Sequence, residues 1–279
     1  MSTYGRTIRQ LVVYTLLVGA VFAQAPASEG PGGRPVDPVN PELPTLFLIG
    51  DSTVRNGRGD GANGQWGWGE PLVAHFDVNK VNVVNRALGG RSSRTYLTGG
   101  NWDGVLALLK AGDFVIMQFG HNDSGPLDDN QRARGTLGGI GDETKEIDNP
   151  LTKQREVVHS YGWYLRKFIS DIKARGAHAI VASPVPRKVW DRGKIARNPD
   201  SYGQWAAAVA KAEGVPFLDL HELIARRYDQ MGERVDSLFA DERTHTSLAG
   251  AQLNAEVVVA GLRELEIQPL VGWLTIKAH

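Results

Sequence analysis

From Pro44 onward, short apolar runs alternate with longer amphipathic stretches, and the two follow different periods. TLFLIG (45–50), VNVVNRA (81–87), DFVIMQFG (113–120), HAIVASP (178–184) and VPFLDL (215–220) are brief and continuous in apolar residues, as buried strands are. Between or after them, apolar residues recur at helical spacing in 101–112, 155–176, 201–214, 219–232 and 247–266. Gly112, Gly176 and Gly214 each stand just before the next strand, where a helix commonly stops. This alternation predicts an α/β fold: a five-stranded parallel sheet with right-handed crossovers and helices on both faces, a three-layer αβα sandwich. In such sheets ligands sit at the carboxyl ends of the strands, so those ends are where chemistry is sought.

Three segments break the rhythm. Residues 124–152 form a long polar, glycine-bearing insertion, a length that in compact domains is usually functional or disordered. Residues 24–43 are rich in Pro and Gly without periodicity and read as a linker. Before them, Arg6 and Arg9 precede the apolar run Leu11 to Ala23 and small residues suited to cleavage, so 1–23 reads as an export signal, too short to span a bilayer comfortably. The chain thus divides into signal (1–23), linker (24–43) and one large domain (44–279), with a secreted or periplasmic destination and no membrane attachment once the signal is gone.

Composition narrows the classes further. Lys+Arg and Asp+Glu are 31 each, which gives no basic excess for nucleic acid. Cysteine is absent from the 279 residues, so disulfides, a thiol nucleophile and Cys-based metal sites are excluded. No metal-ligand spacing is visible among the seven histidines.

At the strand ends lie Asp51-Ser52, Gly89-Gly90-Arg91-Ser92 and Gly120-His121-Asn122-Asp123, and late in the chain comes Asp241-Glu242-Arg243-Thr244-His245. These supply a hydroxyl, a flexible glycine turn with free N–H groups, a side-chain amide and an acid–histidine segment, the parts of an acyl-transfer site. Each part also has a plain structural reading. Ser52 alone reads first as an N-cap or turn residue. Gly90 could simply supply a positive φ, Asn122 a cap, and His245 a surface ion pair with a carboxylate one helical turn away. The G-x-S-x-G elbow of α/β-hydrolases is absent.

Taken together and in this order, the blocks resemble the SGNH, or GDSL-type, hydrolase superfamily. IGDSTV (49–54), WGWGEPL (66–72), GRSSRTY (90–96), FGHND (119–123), RARGTL (132–137) and THTSLAGAQLNA (244–255) resemble its rhamnogalacturonan acetylesterase branch. The resemblance implies a flavodoxin-like fold. It implies Ser52 as nucleophile, His245 as general base, and an oxyanion hole of the Ser52 and Gly90 N–H groups with the Asn122 amide. The family's acid lies three residues before the histidine. That position holds Glu242 instead of Asp, so Glu242 is expected to orient His245, with Asp241 as the alternative; His121 and Asp123 are expected to support the Asn122 loop.

Such a serine mechanism needs neither metal nor cofactor. The resemblance points to an acetylated plant cell-wall polysaccharide, the rhamnogalacturonan of pectin, as partner, and the protein is expected to act as a monomer. Arg134 is a candidate for a galacturonate carboxylate. Trp68, with Trp66, Tyr96 and Trp102, is a candidate for sugar contact or, equally, for the core. Acetylxylan or another GDSL-type ester is the alternative substrate, and a carbohydrate-binding protein that has lost its chemistry is the alternative class.

Overall fold

All five apolar runs form strands of a single parallel sheet. The computed structural model describes residues 38–197 and 201–275 together with Met1; the export signal and residues 24–37 of the expected linker lie outside the described residues. In chain order the strands are β1 (Thr45–Gly50), β2 (Asn82–Asn85), β3 (Phe114–Gln118), β4 (Thr144–Asn149), β5 (Gln154–His159), β6 (His178–Ala182), β7 (Trp190–Asp191), β8 (Lys194–Ile195) and β9 (Phe217–Leu218). The main sheet has the order β2-β1-β3-β6-β9, every pairing parallel. Its centre is dry: β1 and β3 are buried along their whole length.

Side-chain alternation along these strands separates two cores. Leu46, Leu48, Phe114, Ile116, Ile180 and Ala182 face one way, against Ile224 and Tyr228 of the helix Leu220–Met231 and Val258 and Leu262 of the helix Leu248–Glu264. Phe47, Ile49, Val115, Met117 and Val181 face the other, against Leu165, Phe168 and Ile172 of the helix Tyr161–Ala174 and Val209 of the helix Tyr202–Glu213. Helices therefore cover both faces, and the three-layer αβα sandwich is the architecture observed.

Helix starts carry the caps their sequences supply. The Ser160 hydroxyl accepts from Trp163 N–H, Asp219 accepts from Glu222 N–H, and Ser247 accepts from Gly250 N–H. Two boundaries differ from the sequence reading. Residues 155–159, expected as the start of a helix, are strand β5, paired antiparallel with β4 out of the insertion. The reason is the turn NPLTK: Asn149 Oδ1 accepts from Leu151 and Thr152 N–H and Lys153 adopts φ 60, which closes a hairpin before the helix can begin at Tyr161. The helical stretch expected at 101–112 keeps only Asn101–Leu106.

Topology also locates a crevice. From β1 the chain passes to β2 on one side, and β3 lies on β1's other side, so the connections after β1 and β3 part company above the sheet. Ser52 follows β1, and His121 and Asn122 follow β3.

Candidate active site

The turn after β1 is built to present residue 52. A Cβ on Gly50 would lie 2.6 Å from Gln118 O and 2.7 Å from Val54 Cγ2, so only glycine lets the strand end this close to β3. Asp51 then turns inward: it is fully buried, and its Oδ1 accepts from both the N–H and the hydroxyl of Thr53 at 2.8 Å. Its carbonyl accepts from the N–H groups of Val54 and Arg55. With Asp51 fixed inward, Ser52 faces the crevice.

His245 meets it from the opposite wall. Ser52 Oγ and His245 Nε2 are 2.9 Å apart, and His245 Nδ1 lies 2.5 Å from Asp241 Oδ2. The other carboxylate oxygen, Asp241 Oδ1, accepts from the backbone N–H groups of Arg243, Thr244 and His245. Burial pushes the Asp241 carboxyl up, but these donors and the imidazole outweigh it and bring its pKa down to about 2. The segment is held by Thr246, whose carbonyl accepts from Trp66 N–H and whose hydroxyl donates to Trp66 O.

The third wall carries N–H groups. Gly90 has φ 78, a conformation other residues adopt only under strain, and a Cβ on neighbouring Gly89 would lie 3.7 Å from Ser52 Cβ. Three side chains hold this turn. Arg134 Nη1 donates to Gly90 O (2.9 Å), Asn122 Nδ2 donates to Arg91 O (2.8 Å), and Asp123 Oδ1 accepts from Ser93 N–H and Oγ. An amide nitrogen carries two N–H bonds, so Asn122 keeps one for a ligand. Ser52, Gly90, Asn122 and His245 all line one open cleft of about 840 Å³.

Behind the cleft lies a buried polar layer. Asp123 is fully buried and its pKa is pushed up to about 7, burial and the Asp51 charge outweighing its bonds from Ser93. For Asp51, burial acts in the same direction, but His121, whose Nδ1 is 3.5 Å from Asp51 Oδ2, and the Thr53 donors hold it below the usual carboxylate value.

Two sequence expectations are corrected by these contacts. Glu242 does not hold the imidazole: its side chain is exposed and takes no hydrogen bond from His245, while Asp241 occupies that place. Residues 241–245 form a bend closed on the Asp241 carboxylate, not the helical turn on which the spacing argument relied. Trp68 is not a sugar platform. It is 0% exposed, and its Nε1 donates to Gln118 Oε1, which continues through Gln118 Nε2 to Thr53 Oγ1 and so to Asp51. Tyr96 and Trp102 are likewise core residues. Arg134 does line the cleft, although one of its N–H groups is committed to Gly90. Sequence reasoning passed over Arg58, Arg91, Arg132 and Arg187, which also line it; the signal was present in the placement of Arg91 beside Gly90 at a strand end.

Residues 48–253 match the GDSL-like lipase/acylhydrolase family. The chain is 31% identical over 214 residues to a rhamnogalacturonan acetylesterase of Emericella nidulans, covering 76% of this chain and 82% of that protein. It is 29% identical over 226 residues to a probable rhamnogalacturonan acetylesterase of Bacillus subtilis, covering 79% and 93%. Among solved structures, the YxiM protein of Bacillus subtilis is similar with a TM-score of 0.65 at 24% identity, over 81% of this chain and 58% of that one. An acetylxylan esterase of Geobacillus stearothermophilus gives 0.53 at 19% identity, over 81% and 95%. At those identities the structural likeness is one of fold.

Proposed function

We propose that this chain, which belongs to the GDSL-like lipase/acylhydrolase family and is a carboxylic ester hydrolase, is an exported serine esterase that removes O-acetyl groups from the rhamnogalacturonan of pectin. The observation that carries the chemistry is the continuous path from Ser52 Oγ through His245 to Asp241. Relatives named rhamnogalacturonan acetylesterase support the substrate, and the Arg-flanked apolar run at 11–23 supports export.

In this reading His245 Nε2 accepts the Ser52 proton as Oγ attacks the acetyl carbonyl, while Asp241 keeps the Nδ1 proton in place and stabilises the imidazolium. Charge develops on the carbonyl oxygen. The N–H groups of Ser52 and Gly90 and the second N–H of Asn122 would receive it, and removing one such donor typically costs about 10²–10³ in rate. The sugar hydroxyl leaves with the proton from His245. Water, deprotonated by the same imidazole, then attacks the acetyl-serine to release acetate and restore Ser52.

The test is acetate released from acetylated rhamnogalacturonan and from acetylxylan by the purified chain and by its Ser52→Ala variant. Release from pectin that vanishes in the variant is the expected result. Release from xylan alone would move the substrate, and undiminished release by Ser52→Ala would overturn the mechanism.

A further inference from the structure

The cleft over Ser52 is electrostatically one-sided. Five arginines line it, Arg58, Arg91, Arg132, Arg134 and Arg187, and no aspartate or glutamate does, although acids and bases balance at 31 each in the whole chain. Elsewhere arginines are paired: Arg55 with Glu70, Arg94 with Glu156, Arg197 with Glu222 and Asp229. None of the five in the cleft forms an ion pair among the described residues. Arg134 and Arg187 donate to the carbonyls of Gly90 and His121. Asp129, whose charge acts on Arg132 and Arg134, accepts from the backbone N–H groups of Gln131 and Arg132 and does not line the cleft.

Arg91 stands apart from the other four. Its side chain is half-buried and makes no hydrogen bond or ion pair among the described residues. Burial without an anion draws its pKa below the usual guanidinium value. A guanidinium that has lost water and gained no acceptor is destabilised until an anion arrives, and its planar fork suits a carboxylate. Its root is fixed beside the chemistry, since it follows Gly90 and its own carbonyl is held by Asn122. With Thr95 it lines the same cleft as Ser52 and His245.

We infer that this cleft reads a free uronate carboxylate next to the acetylated position, that Arg91 is the residue that reads it, and that deacetylation therefore follows a reaction that hydrolyses uronate methyl esters. This rests on the polysaccharide reading above. The preceding reaction adds water across each methyl ester to give carboxylate, a proton and methanol. A polymer still methylated offers Arg91 a neutral ester in place of a charged two-oxygen acceptor.

The experiment is calorimetric binding to the Ser52→Ala protein, with acetylated rhamnogalacturonan oligosaccharides whose uronates are free or methyl-esterified. The free acid is expected to bind about tenfold or more tightly, as the loss of one charge-assisted pair implies. Adding Arg91→Gln should bring the ratio close to one, and Arg91→Lys should restore part of it. Equal Kd for the two ligands in the Ser52→Ala protein, or an undiminished ratio with Arg91→Gln in a protein that melts normally, would overturn the inference. Acetate release by the wild-type chain from these ligands and from an aryl acetate is scored in parallel. Loss of the esterase reading shows as no acetate from any ester, whereas failure of the carboxylate reading shows as equal binding.

Discussion

Replacing Asp241 by asparagine changes almost no atoms, yet it should remove most of the activity. Asp241 Oδ1 is fixed by three backbone donors, from Arg243, Thr244 and His245. In the variant the amide oxygen keeps those bonds, so the NH₂ group takes the place of Oδ2, 2.5 Å from His245 Nδ1. An NH₂ can only donate there, which forces the imidazole proton onto Nε2. Ser52 Oγ, 2.9 Å away, then faces an N–H and finds no base. Holding a catalytic histidine in the wrong tautomer costs about 10⁴ in kcat, or ~5.5 kcal/mol of transition-state stabilisation. Glu242→Gln, at an exposed side chain without a bond to the imidazole, should stay within about twofold of wild type. The assay is kcat on an aryl acetate near neutral pH for the two variants side by side. A loss of less than about tenfold for Asp241→Asn, or of about a hundredfold for Glu242→Gln, would refute the assignment. The pH dependence adds a second check. Asp241 titrates at about 2 in the fold against an ordinary 3.8, so the stability it contributes is present above about pH 4 and is lost as pH falls toward 2. The melting difference between wild type and Asp241→Asn should therefore be constant above that window and shrink within it.

Two further outcomes follow from the layer behind the cleft. Trp68→Phe removes the donor to Gln118 Oε1 and leaves a buried acceptor unpaired, so stability should fall by about 1–3 kcal/mol in a denaturant melt while KM on polysaccharide holds; a raised KM with an unchanged melt would return Trp68 to the sugar site. Asp123, with its pKa pushed up to about 7, binds its proton more tightly folded than unfolded, so it removes stability as pH rises from about 4 to 7, up to ~4 kcal/mol. Asp123→Asn keeps an oxygen for Ser93 and no longer ionises, so its Tm should exceed that of wild type at pH 8 and the two should converge near pH 4; the opposite slope would refute the buried neutral acid.

The strands were legible because parallel pairing buries both faces, and a run such as Phe114–Gln118 has no reason to be apolar throughout unless it is dry on each side. Hairpin β4–β5 was not legible from period, because its closure depends on Asn149 bonding its own turn and on Lys153 entering the left-handed region. Site positions were legible for a topological reason: the sheet brings Ser52 and Asn122 to one crevice from strand ends far apart in sequence.

Direction is what the sequence hides. Asp51 and Ser52 are neighbours, yet one carboxylate is sealed beneath the turn and the adjacent hydroxyl faces the cleft. Asn122 and Asp123 divide the same way, the amide to the cleft and the acid to the buried layer. Asp241 and Glu242 divide by who captures the backbone: a short carboxylate can close onto the N–H groups two to four residues ahead, and once it has done so its second oxygen is aimed at the imidazole. Chain spacing cannot reveal that capture, since it is a bend made by the aspartate itself. The same local bonding that stabilises the bend therefore selects which of the two acids meets His245, and the exposed Glu242 side chain one position later takes no bond from the imidazole.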